Sequence, residues 1–370
     1  MIRAPAIVSL LSYPIYAAGI PRALRALNRR LRRVAILNYH SISEGRLNGG
    51  YRSCLDLLGM EVPIGSFKKH IRYIKDHYTV VGLDELVVAL ANNCELPDNG
   101  IVLTFDDGFR DNYTAAVPAL KDHGLTAAFF VIGDAIIGEH PVWPHHLYLL
   151  LDRLSGKPFT FSWESHEFLN CQRLEDADKL RLIAQLKHTK AQVPGSEAEK
   201  MLQAMCDQNG VDFQQLLNEP LFMQEKQLHD ICEAGHIVGA HSMTHADLGA
   251  AGSAAVAEEI RMSKEAALAF CKAGFFAFAF PYGTRNNYNA TVIGELQKNG
   301  FNCALTTIEG LNGNNADRYA LKRIEIGPFN KIELSTHLSG AIGDIKSAVK
   351  YITGRNRNAD LRKKRVSKAP

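Results

Sequence analysis

Leu103-Thr104-Phe105-Asp106-Asp107-Gly108 closes an apolar run with two adjacent carboxylates and a glycine. Successive strand residues point to opposite faces, so the acidic pair must stand where the chain leaves the strand. Two carboxylates there can divide labour, one gripping a cation and one staying free as a base. Gly239-Ala240-His241-Ser242-Met243-Thr244-His245 follows a second apolar run, Ile237-Val238. Its imidazoles at i and i+4 converge if the chain turns just after that strand. Zinc-type metals take neutral imidazole and carboxylate, with three protein ligands and one open position in catalytic sites. Asp107, His241 and His245 would complete such a set. Phe278-Ala279-Phe280 runs into Pro281-Tyr282-Gly283. That turn can present backbone N–H groups to a developing oxyanion. His145-His146 has no acidic or cysteine partner at ligand spacing, so packing or surface is the expected place for both, with substrate contact as the alternative.

These groups need a scaffold that brings distant strand ends together. Apolar runs recur at Val34–Tyr39, Tyr78–Val81, Ile101–Phe105, Ala127–Ile132, Ile237–Ala240, Phe276–Phe280, Asn302–Thr306 and Leu321–Ile326. Helical patterns lie between them, among them 84–92, 256–270, 288–298 and a helix capped by Ser66 with Phe67, Ile71 and Ile74 on one face. Strands alternating with helices predict parallel pairing and an α/β barrel or layered fold, whose ligands bind at the carboxyl ends of the strands. Residues 138–225 break the rhythm. They read as a mostly helical insertion, opening with a hairpin near 157–169 and continuing with helices at 174–190 and 197–206.

Taken together, LTFDDG with FRDNY, HSxTH and FAFPYG, in that order, resemble the polysaccharide deacetylase (NodB-homology) family of carbohydrate esterases. LNYHSI at 37–42 and VPIGSFKKHI at 62–71 add to the resemblance, which covers residues 35–330 apart from the insertion. It implies a distorted (β/α)7-type barrel and hydrolysis of N-acetyl groups on amino sugars. It implies Asp106 as the base and a divalent metal on Asp107, His241 and His245, Zn2+ first, with Co2+, Ni2+ or Mn2+ as alternatives. Two departures stand out. The arginine usually found two residues before the Pro-Tyr-Gly proline is Ala279, and Ser335-Thr336-His337 matches the element supplying the acid poorly. Relatives that open with a Tyr-His strand imply His40 as the acid. Arg323 is the candidate to replace the missing arginine and hold Asp106 ionised.

The ends of the chain differ from its body. Residues 1–35 carry seven arginines and no acid, and 355–370 carry seven basic residues against Asp360. The remainder holds 28 basic against 38 acidic residues. An acidic body with basic ends suits contact with an anionic surface and not a nucleic-acid groove. The apolar run at 4–20 is short for a spanning helix and holds Pro14. Ile20, Leu24, Leu27 and Leu31 then fall on one helical stripe backed by arginine, as in an interfacial helix. The chain therefore divides into a membrane-associating segment (1–34), the barrel (35–340) and a basic tail (341–370). Arginine after the apolar run favours the cytoplasmic face of the inner membrane. An N-acetylated amino-sugar glycan or glycolipid is then the expected substrate. The alternatives are a periplasmic deacetylase of exopolysaccharide, with Ala17-Ala18-Gly19 as a signal cleavage site, and a catalytically silent carbohydrate-binding or assembly protein. Seven scattered cysteines without a CxxC argue against a disulfide scaffold. The oligomeric state is open.

Overall fold

The computed structural model describes residues 4–44, 50–138, 140–190, 195–270 and 274–343. Seven parallel strands close on themselves: β1 (Ala35–Tyr39), β2 (Gly100–Phe105), β3 (Ala128–Val131), β4 (Ile237–Ala240), β5 (Ala277–Ala279), β6 (Cys303–Glu309) and β7 (Leu321–Glu325). Around the ring the order is β1-β7-β6-β5-β4-β3-β2, and β2 pairs back to β1. The chain thus forms a (β/α)7-type barrel. A short strand, Thr79–Val80, pairs with the start of β2. All eight apolar runs form strands. The pairing of Ser41–Ser43 with Glu61–Pro63 is additional. The helix expected from Ser66 begins earlier, at Ile64, with Pro63 fixing its entry and Ser66 inside the first turn.

Burial on both faces of the strands explains their continuous apolar character. Inside the ring, Ile36, Val102, Phe130, Leu305 and Leu321 meet Leu83, Leu86 and Val87 of the helix 83–91, which plugs the end where the strands begin. Outside, Leu37, Leu103, Phe105 and Phe129 pack beneath Phe67, Ile71 and Ile74 of the helix 64–77. Each such side chain contributes about 1.5–3 kcal/mol on full burial. Further up, the interior turns polar, with Asn38, Thr104, Thr306 and Arg323 all buried. The register sets the strand ends level. Tyr39 lies opposite Phe105, Phe105 opposite Phe129, and Val131 opposite Ala240.

The insertion is mostly helical. It begins with α3 (Trp143–Arg153), adds the hairpin Phe159–Trp163/His166–Cys171, and continues with helices at Asp176–Lys190, Gly195–Gln208 and Phe213–Leu217. Trp143, Leu150, Phe161, Leu182, Leu202 and Leu216 belong to a core of its own. Fully buried Lys179 fastens it, donating to the Arg52 carbonyl and pairing with Asp152 at 3.3 Å.

Two helices precede the barrel, α1 (Ala4–Ala17, running through Pro14) and α2 (Ile20–Arg30). They pack on α4 (Lys331–Leu338), which follows β7. A surface helix normally turns its apolar stripe inward. In α2 the buried residues are Pro21 and Asn28, and the Asn28 amide donates to the Ser339 carbonyl at 2.9 Å. Ile20, Leu27 and Leu31 are exposed instead. Among the described residues, five of the nine exposed large apolar side chains (Leu11, Tyr13, Ile20, Leu27 and Leu31) sit in this stretch, so the exposure is concentrated and not scattered. Among the described residues, no helix is long and apolar enough to cross a membrane. The basic tail lies outside the described residues from position 344 on. The six described cysteines are free thiols.

Candidate active site

The level strand ends bring together residues far apart in sequence. Asp106 and Asp107 follow β2, His40 follows β1, and His241 follows β4. Backbone bonds fix the exits: Asp106 N–H to the Tyr39 carbonyl and His241 N–H to the Val131 carbonyl, each 2.9 Å. The chain then turns sharply. Asp107, Ser242, His245 and Tyr282 adopt left-handed backbone with φ of 71°, 59°, 59° and 59°. They are four of nine such non-glycine residues among those described, so the strain gathers where side chains must be re-aimed.

Asp106 meets Arg323 in a bidentate pair, Oδ1 to Nη1 at 2.7 Å and Oδ2 to Nη2 at 2.6 Å, both side chains buried. Arg323 is held in turn by the Thr306 carbonyl at 2.8 Å and by Asn38 Oδ1 at 2.9 Å. Burial pushes the Asp106 carboxyl up, but Arg323 and His241 outweigh it and hold the group below its ordinary range. His40 is half-buried, its carbonyl fastened by Asn112, and its charge also favours the Asp106 carboxylate. His337 lies instead on α4, stacked on Phe329 at 4.3 Å.

Asp107, His241 and His245 are all buried, and ligand atoms from the three lie within 4.8 Å of one another. His241 Nε2 is 3.3 Å and His245 Nε2 3.4 Å from Asp107 Oδ1. His241 Nδ1 is 2.8 Å from the Ala279 carbonyl, which requires a proton on that nitrogen. In a neutral His241 ring, Nε2 then turns a bare lone pair toward an anionic oxygen, and Oδ1 itself accepts no hydrogen bond. A cation is the group that resolves two facing electron pairs, so the donor set fits a divalent metal. Burial holds His245 neutral, with its pKa lowered to about 3, the form a ligand needs.

Pro281-Tyr282-Gly283 is clamped to β6 next door: Thr307 N–H donates to the Gly283 carbonyl at 2.9 Å, and Thr307 Oγ1 to the Tyr282 carbonyl at 2.7 Å. Gly283 has φ of 58°, and a Cβ there would lie 2.5 Å from the Thr307 nitrogen, so only glycine fits. The Tyr282 ring stands edge-on to His245, centroids 4.9 Å apart.

His145 is packed, as expected, but it has an acidic partner that local spacing does not show. It is buried, with Nε2 3.0 Å from Asp107 Oδ2. Its partner lies 38 residues upstream, at the end of a strand, so local ligand spacing could not reveal it. His146 is buried beside it and bonds the Val142 carbonyl. Asn38, Thr104 and Thr306 were also missed, because polar residues inside a strand carry no motif.

A family model described as polysaccharide deacetylase matches residues 94–304, more than half of the chain. The chain belongs to the polysaccharide deacetylase family. Within that family it is 32% identical over 109 residues to YxkH of Bacillus subtilis, a match covering 29% of this chain and 35% of that protein. Of the solved structures, the Streptococcus pyogenes deacetylase PplD in complex with acetate superposes with a TM-score of 0.51 at 20% identity, over 82% of this chain and 96% of that one. The de-N-acetylase from Aggregatibacter actinomycetemcomitans gives 0.51 at 14%, over 83% and 99%. BC0361, a polysaccharide deacetylase from Bacillus cereus, gives 0.51 at 16%, over 83% and 69%. At these identities the likeness establishes the deacetylase fold.

Proposed function

We propose that this chain is a metal-dependent N-deacetylase that hydrolyses the acetamide of an N-acetylated amino sugar. The observation carrying this reading is the buried Asp107–His241–His245 cluster beside the Arg323-paired Asp106. A divalent ion on those three residues would supply a Lewis acid for the acetamide carbonyl and lower the pKa of water toward ~7. Asp106, kept ionised by Arg323, takes the proton of the attacking water. The Pro281–Gly283 turn offers the Tyr282 N–H to the oxyanion, a donor of a kind whose loss costs about 10²–10³ in rate. His40 returns a proton to the departing amine, which leaves poorly as an anion. Asp107→Ala, His241→Ala and His245→Ala should each lose metal and acetate release while retaining the fold. Asp106→Asn should keep metal and lose turnover. Stoichiometric metal in a His241→Ala/His245→Ala protein refutes the assignment.

The N-terminus supports a reading of the substrate class. The outward stripe of α2 lies beside Arg22, Arg30 and Arg33, exposed and without an acidic partner among the described residues. Each basic residue near an anionic leaflet contributes about 1 kcal/mol. Exposed leucine and unpaired arginine on one helix favour peripheral docking on the cytoplasmic face, and with it a lipid-linked glycan as substrate. Full-length protein should float with vesicles containing anionic phosphatidylglycerol and release acetate from lipid-linked amino sugars. Leu27→Glu/Leu31→Glu should abolish flotation with turnover of a soluble sugar unchanged. Turnover restricted to finished polymer, with no flotation, would move the substrate to an exported polysaccharide.

A further inference from the structure

Asp107 uses its two oxygens differently. Oδ1 faces His241 and His245. Oδ2 faces His145 Nε2 at 3.0 Å, and both side chains are almost wholly shielded from solvent. A carboxylate only accepts, so His145 Nε2 must donate.

The ring is placed by the insertion, not by the barrel. His145 stands in the first turn of α3. Its face meets Phe109, just after the Asp-Asp-Gly, at 5.1 Å between centroids, and Phe222 at 5.6 Å. Phe222 lies at the far end of the insertion, where it stacks on Phe109 at 5.9 Å and bridges to it through the backbone. Both ends of the insertion therefore converge on one carboxylate. Among the described residues His145 Nδ1 has no hydrogen-bond partner, so the ring is oriented by the Asp107 contact and by the rings packed on it: Phe109, Phe222, Tyr148 at 6.0 Å and His245 at 5.4 Å.

We infer that His145 is a positioning residue for metal binding: it occupies Asp107 Oδ2 and leaves only Oδ1 for the ion. This inference rests on the metal-dependent reading above. A carboxylate offering one oxygen leaves coordination positions open for water and substrate, and one offering two fills an additional position. The insertion is on this account part of the active site, because it supplies the group that sets how Asp107 binds.

Cobalt-loaded full-length protein tests this. His145→Phe keeps an aromatic ring between Phe109 and Phe222 but removes the donor. Its affinity for Co2+ and Zn2+ should fall about 10–100-fold, the usual cost of losing such an outer hydrogen bond. The visible Co2+ bands should weaken as Asp107 turns bidentate, and the metal-free protein should melt close to wild type. His145→Gln, which restores an N–H donor, should recover most of the affinity and the spectrum. Wild-type affinity and spectrum in His145→Phe overturn the inference. So does equal loss of melting temperature in both variants with unchanged metal affinity, which marks packing only. Loss of affinity beyond 10³-fold that His145→Gln does not rescue would make His145 a direct ligand and also overturns it. Wild-type protein that binds no metal would defeat the deacetylase reading itself.

Discussion

Arg323→Met is the most informative single perturbation of the barrel interior. The substitution keeps an unbranched side chain but deletes both bonds to Asp106 and the bonds to the Thr306 carbonyl and Asn38. Asp106 is almost completely buried, so water cannot replace the guanidinium. Breaking a buried pair from one side costs about 3–5 kcal/mol, most of it the stranded charge. Urea unfolding of metal-free protein should show a lower midpoint with an unchanged slope. The double variant Arg323→Met/Asp106→Asn removes the charge and should regain about half of that loss while remaining inactive. The pH dependence has a definite sign. Asp106 is held below the ordinary carboxylate range, so its pair stabilises the fold above about pH 4 and is lost as pH falls further. The stability gap between wild type and Arg323→Met should therefore narrow in acid. Residual activity should have its acidic limb moved to higher pH, because burial pushes the unpaired carboxyl up. A cost below about 1 kcal/mol with an unmoved limb would refute the argument, as would a double variant no more stable than the single one.

Two other variants probe the mouth of the barrel. His40→Ala should keep its metal but lower kcat by about 10²–10⁴ and lose the alkaline limb of the pH–rate profile; near-wild-type rates there, with an inactive His337→Ala, would assign the acid to His337. Gly283→Ala forces a side chain into left-handed backbone against Thr307, at a cost of about 1–3 kcal/mol; melting temperature and kcat should fall together at constant metal content, and an unchanged kcat would remove the turn from the oxyanion site.

The sequence shows some of this site plainly and conceals the rest, for physical reasons. Asp106, Asp107, His241 and His245 are legible because all lie within five residues of the end of an apolar strand, so their positions in the barrel are fixed by their positions in the chain. The seven-stranded ring is legible through the alternation of strands and helices. His145 is not, since its partner is reached through tertiary packing of the insertion on Phe109. Asn38 and Thr104 are hidden because they interrupt apolar strands by one residue each, a pattern that usually marks an outward face. The outward stripe of α2 could be read as a stripe, but not its direction. That depends on Asn28 reaching the Ser339 carbonyl across 311 positions of sequence.

The charge pair inside the ring also bears on when the molecule becomes competent during its synthesis. Arg323 reaches Asp106 over 217 positions and Asn38 over 285, joining the first strand of the barrel to the last. A nascent chain that has exported β1 through β6 from the ribosome carries both carboxylates and both histidines, yet has nothing to neutralise Asp106 in a dry interior. Until β7 arrives, that carboxylate must stay hydrated and the ring must stay open to water. Closure of the barrel and pairing of Asp106 are one late, long-range event, of the slow kind that high sequence separation imposes. An unfinished or C-terminally clipped chain is thereby left without the buried pair that neutralises Asp106.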